Sequence, residues 1–280
     1  MDVSGVGSFF GRHEFLIRRL HSLTGLVPVG GYLAFHLATN ASILDGAETF
    51  QARVDQINAL GPTSLTILEW TFIFIPLLFH SLIGMLIVLR GKRNLVNYPY
   101  EGNIRYTLQR VTGVIAFVFI FWHVFQMHGW FRNDWWHETV IRPLGGGTFD
   151  PSAASMTTAA AIQSSPLMIA FYALGVLASV FHFANGLWSM GITWGVWTSP
   201  KAQRWVKLPA AAVGVLLLVV GFGALVGFIR YPVAAYAPSQ PVEHRLKAPG
   251  TLETPEAETV MFRGGHDRVE SKEHEGPVQK

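Results

Sequence analysis

The stretch VIAFVFIFWHVFQMHGW, Val114 to Trp130, decides how this chain is read. It is apolar enough to lie in a lipid bilayer, yet it carries a histidine, His123, in its interior. An imidazole in hydrocarbon needs partners for both ring nitrogens, so an intramembrane ionisable residue points to function by default.

The rest of the chain supplies a matching context. Half of the 280 residues are hydrophobic, 14% are charged, and mean hydropathy is +0.32, which is too apolar for an ordinary soluble domain. Five segments reach the roughly 20 apolar residues that a crossing needs: Ser22 to Ser42, Thr66 to Leu89, Val111 to Trp130, Pro166 to Trp188 and Leu208 to Phe228. None contains Asp, Glu, Lys or Arg except the second, whose first turn holds Glu69. The first is longer than the 7 to 15 apolar residues of a signal-peptide core, which argues for a retained helix. The expected fold is an all-α membrane protein with a five-transmembrane-helix bundle at residues 22–230. Residues 1–21 form an N-terminal segment. Residues 231–280, rich in Pro, Glu, Lys and Gly and poor in aromatics, form a tail that cannot bury a core and is expected to be disordered.

Charge placement gives the orientation. Arg12, Arg18 and Arg19 precede the first span; Arg90, Lys92, Arg93, Arg105 and Arg110 lie between the second and third; Lys201, Arg204 and Lys207 lie between the fourth and fifth. The other two loops hold Arg53, Arg132 and Arg142. The bias puts the N-terminus and the basic loops on the cytoplasmic side of the inner membrane, and five crossings put the C-terminus outside. The net charge of +3 is spread in short clusters between apolar spans, a topology signal rather than a nucleic-acid surface. Trp130, Trp135 and Trp136 suit an outer interfacial belt, and the loop containing PLGGGTFDPSAAS is expected to be flexible in its middle. Cysteine is absent, which excludes disulfides, cysteine-held iron–sulfur clusters and covalent haem attachment.

Histidine is distributed one per span: His36, His80, His123 and His182 occupy the first four. At 1.5 Å per residue, His36 and His123 lie about 18 to 22 Å from the inner ends of their helices, whereas His80 and His182 lie about 21 to 24 Å from their outer ends. Four histidines thus sort into an outer pair and an inner pair. Two opposed neutral imidazoles at one depth are what a haem iron takes as axial ligands. The expectation is two bis-histidine haems b, the outer on His36 and His123, the inner on His80 and His182. A proton relay would normally add carboxylates within the membrane, and the bilayer centre has none. Gly84 and Gly186 each follow an inner-pair histidine by four positions, on the same helical face, where a missing side chain leaves room for a porphyrin. Pro28 and Pro76 are expected to bend their helices.

Ser22 and Gln109 each precede an outer-pair histidine by 14 residues, about 40° from the same face, and His21 is about 60° off. The inner ends of the first and third helices therefore offer polar groups for haem propionates or a quinone head group, with Arg110 long enough to reach an anion. At the outer end Asn40, Glu48, Gln51 and His128 are candidates for a quinone or water site.

The segments RRLHSLTGLVPVGGYLAFHLATN, LQRVTGVIAFVFIFWHVF and SSPLMIAFYALGVLASVFHFANGLWSMGITWGVWTSPKAQR resemble the cytochrome b membrane-anchor subunit of type B succinate:quinone oxidoreductases, the succinate dehydrogenase and fumarate reductase family. The similarity runs through roughly Phe15 to Phe228. It implies five helices and two haems b on His36, His80, His123 and His182. It also implies an iron–sulfur subunit and, through it, a flavoprotein on the cytoplasmic side, with electrons exchanged with menaquinone or ubiquinone and room for a higher oligomer of the complex. FAD and iron–sulfur clusters belong to those partners. Some members carry a membrane-embedded glutamate near the fourth-helix ligand; here Ser179, Val180 and Phe181 stand there instead, which puts such a proton route in doubt. The basic run RGKRNLVNYPYEGNIRY fits partner docking and plain topology equally. A dihaem cytochrome for a hydrogenase or another dehydrogenase, and a haem-free histidine transporter, are the other readings.

Overall fold

The computed structural model describes residues 3–92 and 95–233, with side chains from residue 11 onward in the first of these segments. Arg93 and residues 234–280, with His244, His266 and His274 and most of the expected tail, lie outside the described residues. Regular structure among the described residues is helical.

The first expected span is divided. Helix α1 (Val3–Leu26) meets α2 (Pro28–Ala41) at Val27. Val27 keeps right-handed helical dihedrals, and the amides of Val27 and Gly31 still donate to Leu23 O and Val27 O at 2.9 and 3.1 Å. The break traces to Pro28, which has no N–H and whose ring crowds the preceding turn. The second expected span is one run, α4 (Pro62–Leu68) and α5 (Ile75–Arg90) joined by a π-helical stretch at Glu69–Phe74. Pro76 follows that stretch, and wide turns commonly absorb a missing amide. The other expected spans fall in α6 (Glu101–Met127), α9 (Pro166–Thr193) and α10 (Pro200–Arg230). Four uninterrupted runs among the described residues are therefore long and apolar enough to cross a membrane: Pro62–Arg90, Glu101–Met127, Pro166–Thr193 and Pro200–Arg230.

Helix α9 is central, packed against α6 on one side and α10 on the other; α2 lies on α10, and α1 bridges α9 and α5. Small residues set the α9–α10 seam. A Cβ on Gly214 would stand 2.9 Å from Ala184 Cβ, and one on Gly221 would stand 2.8 Å from Val176 Cγ1. Close backbone approach of this kind drives helix association in lipid, where burial of apolar surface contributes little. By contrast α5 touches α6 and α2 only briefly, and its one buried side chain is Pro76.

One end of the bundle is capped. Helix α3 (Ala47–Asn58), the short α7 (Asp134–Trp136) and α8 (Ala154–Gln163) cover it. The main core lies beneath, where Phe50, Ala154, Ala159, Ile162, Tyr172 and Phe228 pack together. The loop containing PLGGGTFDPSAAS has no regular element at residues 146–150, and its end enters α8, which seats Ala154 and Ala159 fully buried. Its start is fixed by Asp150, whose carboxylate accepts Ser152 N and Oγ, and by Gln51, whose Oε1 accepts Ala154 N. The opposite end carries the basic loops.

Candidate functional site

The structure brings the four span histidines together in the expected pairs. Near the capped end, the rings of His36 on α2 and His123 on α6 have centroids 5.8 Å apart, with planes crossed at 72°. Toward the basic end, His80 on α5 and His182 on α9 are 6.0 Å apart and crossed at 84°. Two metal–nitrogen bonds of about 2 Å, plus the distance from each nitrogen to its ring centre, place opposed axial imidazoles roughly 6 Å apart between centroids. A metal–nitrogen axis leaves the two ring planes free to cross. Among the described residues no group of three or more His, Asp or Glu is arranged for a metal ion, and a haem iron asks for only two.

Each of these imidazoles is oriented through Nδ1. His80 Nδ1–H donates to His21 O at 2.8 Å, and His182 Nδ1–H donates to Gln109 O at 2.9 Å. Tyr172 O–H donates to Gln126 Oε1 at 2.9 Å, which leaves the phenol oxygen to accept His123 Nδ1–H at 3.2 Å. Tyr32 Oη stands 3.5 Å from His36 Nδ1. A proton held on Nδ1 leaves the Nε2 lone pair for a metal, the usual division of labour in ligating histidines. At His182 there is a competitor, because Gln109 Nε2 stands 3.4 Å from His182 Nε2. That amide also donates to His182 O at 3.1 Å, and settling there alone would free the ring nitrogen.

His21 joins the inner pair as a third ring, stacked on His80 at 4.1 Å and 10°, with its Nδ1 3.0 Å from His80 O. The two glycines singled out by sequence differ in surroundings. A Cβ on Gly84 would lie 3.1 Å from His21 Cε1, while one on Gly186 would meet only Gln109 Nε2, at 3.6 Å. The glycines that lie against the paired imidazoles are Gly25 and Gly113, where a Cβ would come within 2.2 Å of His80 Cε1 and 2.8 Å of His182 Cε1. Both sit in a Thr-Gly step, Thr24-Gly25 on α1 and Thr112-Gly113 on α6, in the two runs of chain that lead to the outer-pair histidines. That repeated step was the available signal.

The polar residues of the basic end divide into engaged and unengaged. Gln109 is clamped to α9, accepting Asn185 Nδ2 at 2.7 Å in addition to its bond to His182 O. Arg110 reaches across to the C-terminus of α5, where it donates to Ile87 O at 3.2 Å and lies over Tyr106. A cation there complements the last carbonyls of the helix. Ser22 Oγ and Arg19 Nε, by contrast, are buried with no hydrogen-bond partner. Lying three residues apart on α1, they form a donor pair of which sequence analysis named only Ser22 as a site residue. Buried unpartnered donors in a native fold call for an acceptor, and haem propionates are acceptors. The opposed rings at both levels, with the donor pair at the basic end, therefore fit bis-imidazole haem binding.

At the capped end, Gln51 serves the fold, donating to Pro151 O and Asp55 Oδ1. His128 has both ring nitrogens buried without a hydrogen bond, and its Nε2 lies 3.6 Å from Glu69 Oε2. Arg132 grips Glu69 with two bonds of 2.6 and 3.1 Å. Nothing in the sequence joined Glu69 to Arg132, 63 positions away. Asn40 closes α2, where its carbonyl accepts Ser42 N, and Glu48 lies in the first turn of α3.

No protein-family model matches the chain. The succinate dehydrogenase cytochrome b558 subunit of Bacillus subtilis (strain 168) is 37% identical to it over 219 residues, covering 78% of this chain and 99% of the relative. Identity of that degree over the whole length of the relative, together with the apolar helices, assigns a family: the chain belongs to the succinate dehydrogenase cytochrome b558 subunits.

Proposed function

We propose that this chain is the membrane anchor of a succinate:quinone oxidoreductase, that it crosses the membrane five times with its basic loops cytoplasmic, and that it binds two haems b. His36 and His123 would ligate the one nearer the capped end, and His80 and His182 the one nearer the basic end. The observation that carries this reading is the pairing itself: four histidines from four helices meet as two opposed pairs, each ring engaged or approached at Nδ1. Crossing by the α1–α2 run, despite its break, is supported by the place of His36 on it, at the level of His123 on a long apolar helix.

Haem b supplies reversible one-electron storage, with a potential set by its axial ligands and burial. The residues of this chain do the rest. His21 O and Gln109 O fix the inner imidazoles in the tautomer that leaves Nε2 available, and Tyr172, itself fixed by Gln126, does so for His123. Arg19 and Ser22 would neutralise propionates at the basic end. With no cysteine for clusters, flavin and iron–sulfur chemistry must come from partner subunits on the cytoplasmic side, and the chain mediates exchange between them and membrane quinone.

Adding succinate to the purified complex under anaerobic conditions tests this. The b-type absorbance should appear, and a quinone should then abolish it. Haem that dithionite reduces but succinate leaves oxidised, in a complex whose flavin is reduced, would contradict the proposed path.

A further inference from the structure

The basic end carries a feature that electron transfer does not use. Between α6 and α10 lies a cavity of about 300 Å³ lined by Glu101, Arg105, Trp188, Gln203, Arg204 and Lys207. A second, of about 290 Å³, is lined by Arg204, Trp205 and Leu208. Arg204 belongs to both. The first holds three cations and one carboxylate, and Glu101 takes two of them, Lys207 at 2.5 Å and Arg105 at 3.7 Å. Arg105 is further committed to Asn185 Oδ1 and the face of Trp188. Arg204 is exposed and has no acidic partner among the described residues. The cavity is therefore left with a net positive charge.

Arg204 also heads an apolar stripe. Leu208, Val215 and Val219 follow it along one face of α10, and their exposures are 72, 61 and 66%. Trp205, 68% exposed, stands beside the head of that stripe. In a chain that spans a membrane this face meets acyl chains, and an exposed Trp beside Arg marks the interfacial level. Two cavities that share Arg204, one cationic and the other lined by Trp205 and Leu208 at the head of an apolar stripe, match a molecule with a phosphate at one end and hydrocarbon at the other. A zwitterionic lipid would bring its own ammonium to a site already positive, so the charge favours a net anionic lipid.

We propose that the mouth of the α6–α10 groove binds one anionic phospholipid, its phosphate at Arg204 and Lys207 and an acyl chain along Leu208, Val215 and Val219. The proposal is independent of the haem assignment. It is tested on the detergent-purified, delipidated complex by thermal unfolding titrated with phosphatidylglycerol, phosphatidylcholine or inorganic phosphate, for wild type, R204K, R204Q and R204Q/K207Q. Phosphatidylglycerol should act at about a tenfold lower concentration than phosphatidylcholine, as expected for two interfacial cations. Inorganic phosphate should have no effect, R204K should keep the preference, R204Q should weaken it and the double variant should erase it. If the double variant does not assemble, R204Q against R204K decides. An equal response to both lipids, or a preference unchanged in R204Q, would overturn the proposal. Inorganic phosphate as effective as lipid would reassign the cavity to a free anion. Loss of the iron–sulfur subunit from the double variant, with lipid preference intact, would make this a protein docking surface.

Discussion

At the basic end, His80 and His182 give their Nδ1 protons to main-chain carbonyls of the facing helices, His21 O and Gln109 O. At the capped end, His123 gives its proton to the phenol of Tyr172, and His36 stands near that of Tyr32. A carbonyl cannot be substituted and does not rotate, so the orientation of the inner pair is as good as the packing of α1 on α5 and of α6 on α9. A phenol is an acceptor only while its own proton goes elsewhere, so the outer pair depends on a chain of side chains ending at Gln126. The same imidazole orientation is thus built from backbone register at one level and from a side-chain relay at the other. Substitutions should reach the inner site through helix packing and the outer site through hydrogen bonding.

The most severe test of that contrast is Gly25→Leu. A Cβ there would fall 2.2 Å from His80 Cε1, and the larger side chain must displace the ring or part α1 from α5. The inner haem should be lost, leaving about half of the b-type absorbance, while the outer haem keeps its spectrum. Next in size is Tyr172→Phe, which should leave both haems in place but remove the acceptor from His123. Outer-shell partners of ligating histidines are typically worth 10- to 100-fold in metal affinity. The outer haem should be released about that much more readily and its midpoint potential should rise, since a weaker Nδ1 bond makes imidazole a poorer donor; a spectroelectrochemical titration reads both. Gln126→Leu should shift the outer midpoint in the same direction by less, because the Tyr172 oxygen remains. If either of these two moved the inner midpoint equally, the separation of the two sites would be wrong.

The smallest effect is expected at Arg132→Gln. The Glu69–Arg132 pair links the π-helical stretch to the loop after α6, but Arg132 is partly exposed, and such pairs contribute about 0.2–1 kcal/mol. The variant should unfold a degree or two lower and keep both haem spectra.

Much of this arrangement was legible in the sequence, and the reason is that membrane helices are simple to read. Depth along an apolar span converts directly to position, so His36 matched His123, and His80 matched His182, without any tertiary information. What depth cannot supply is azimuth and the identity of the facing backbone. Gln109 has the right depth for a propionate donor but is turned onto α9, and Arg110 is turned onto the end of α5. Gly84 and Gly186 were found by spacing within their own helices, whereas Gly25 and Gly113 lie against histidines of other helices, a relation only packing creates. The division of the first span at Val27 follows from Pro28, which was visible, but the ordering of α8 was not. Its small residues gain burial only because α3 and α10 are already there to receive them. Tyr172 was hidden for a related reason: its importance comes from Gln126 and His123 on α6, across the seam from α9.

The central claim is the pairing, and haem counting across the four ligand variants tests it most directly. Wild type and His36→Ala, His123→Ala, His80→Ala and His182→Ala would each be purified and measured by pyridine haemochrome and by reduced-minus-oxidised spectra. The account predicts two haems b per wild-type chain and one per variant, with His36→Ala and His123→Ala losing the same spectral component and His80→Ala and His182→Ala losing the other. A single haem in wild type, or His36→Ala and His123→Ala removing different components, would contradict it.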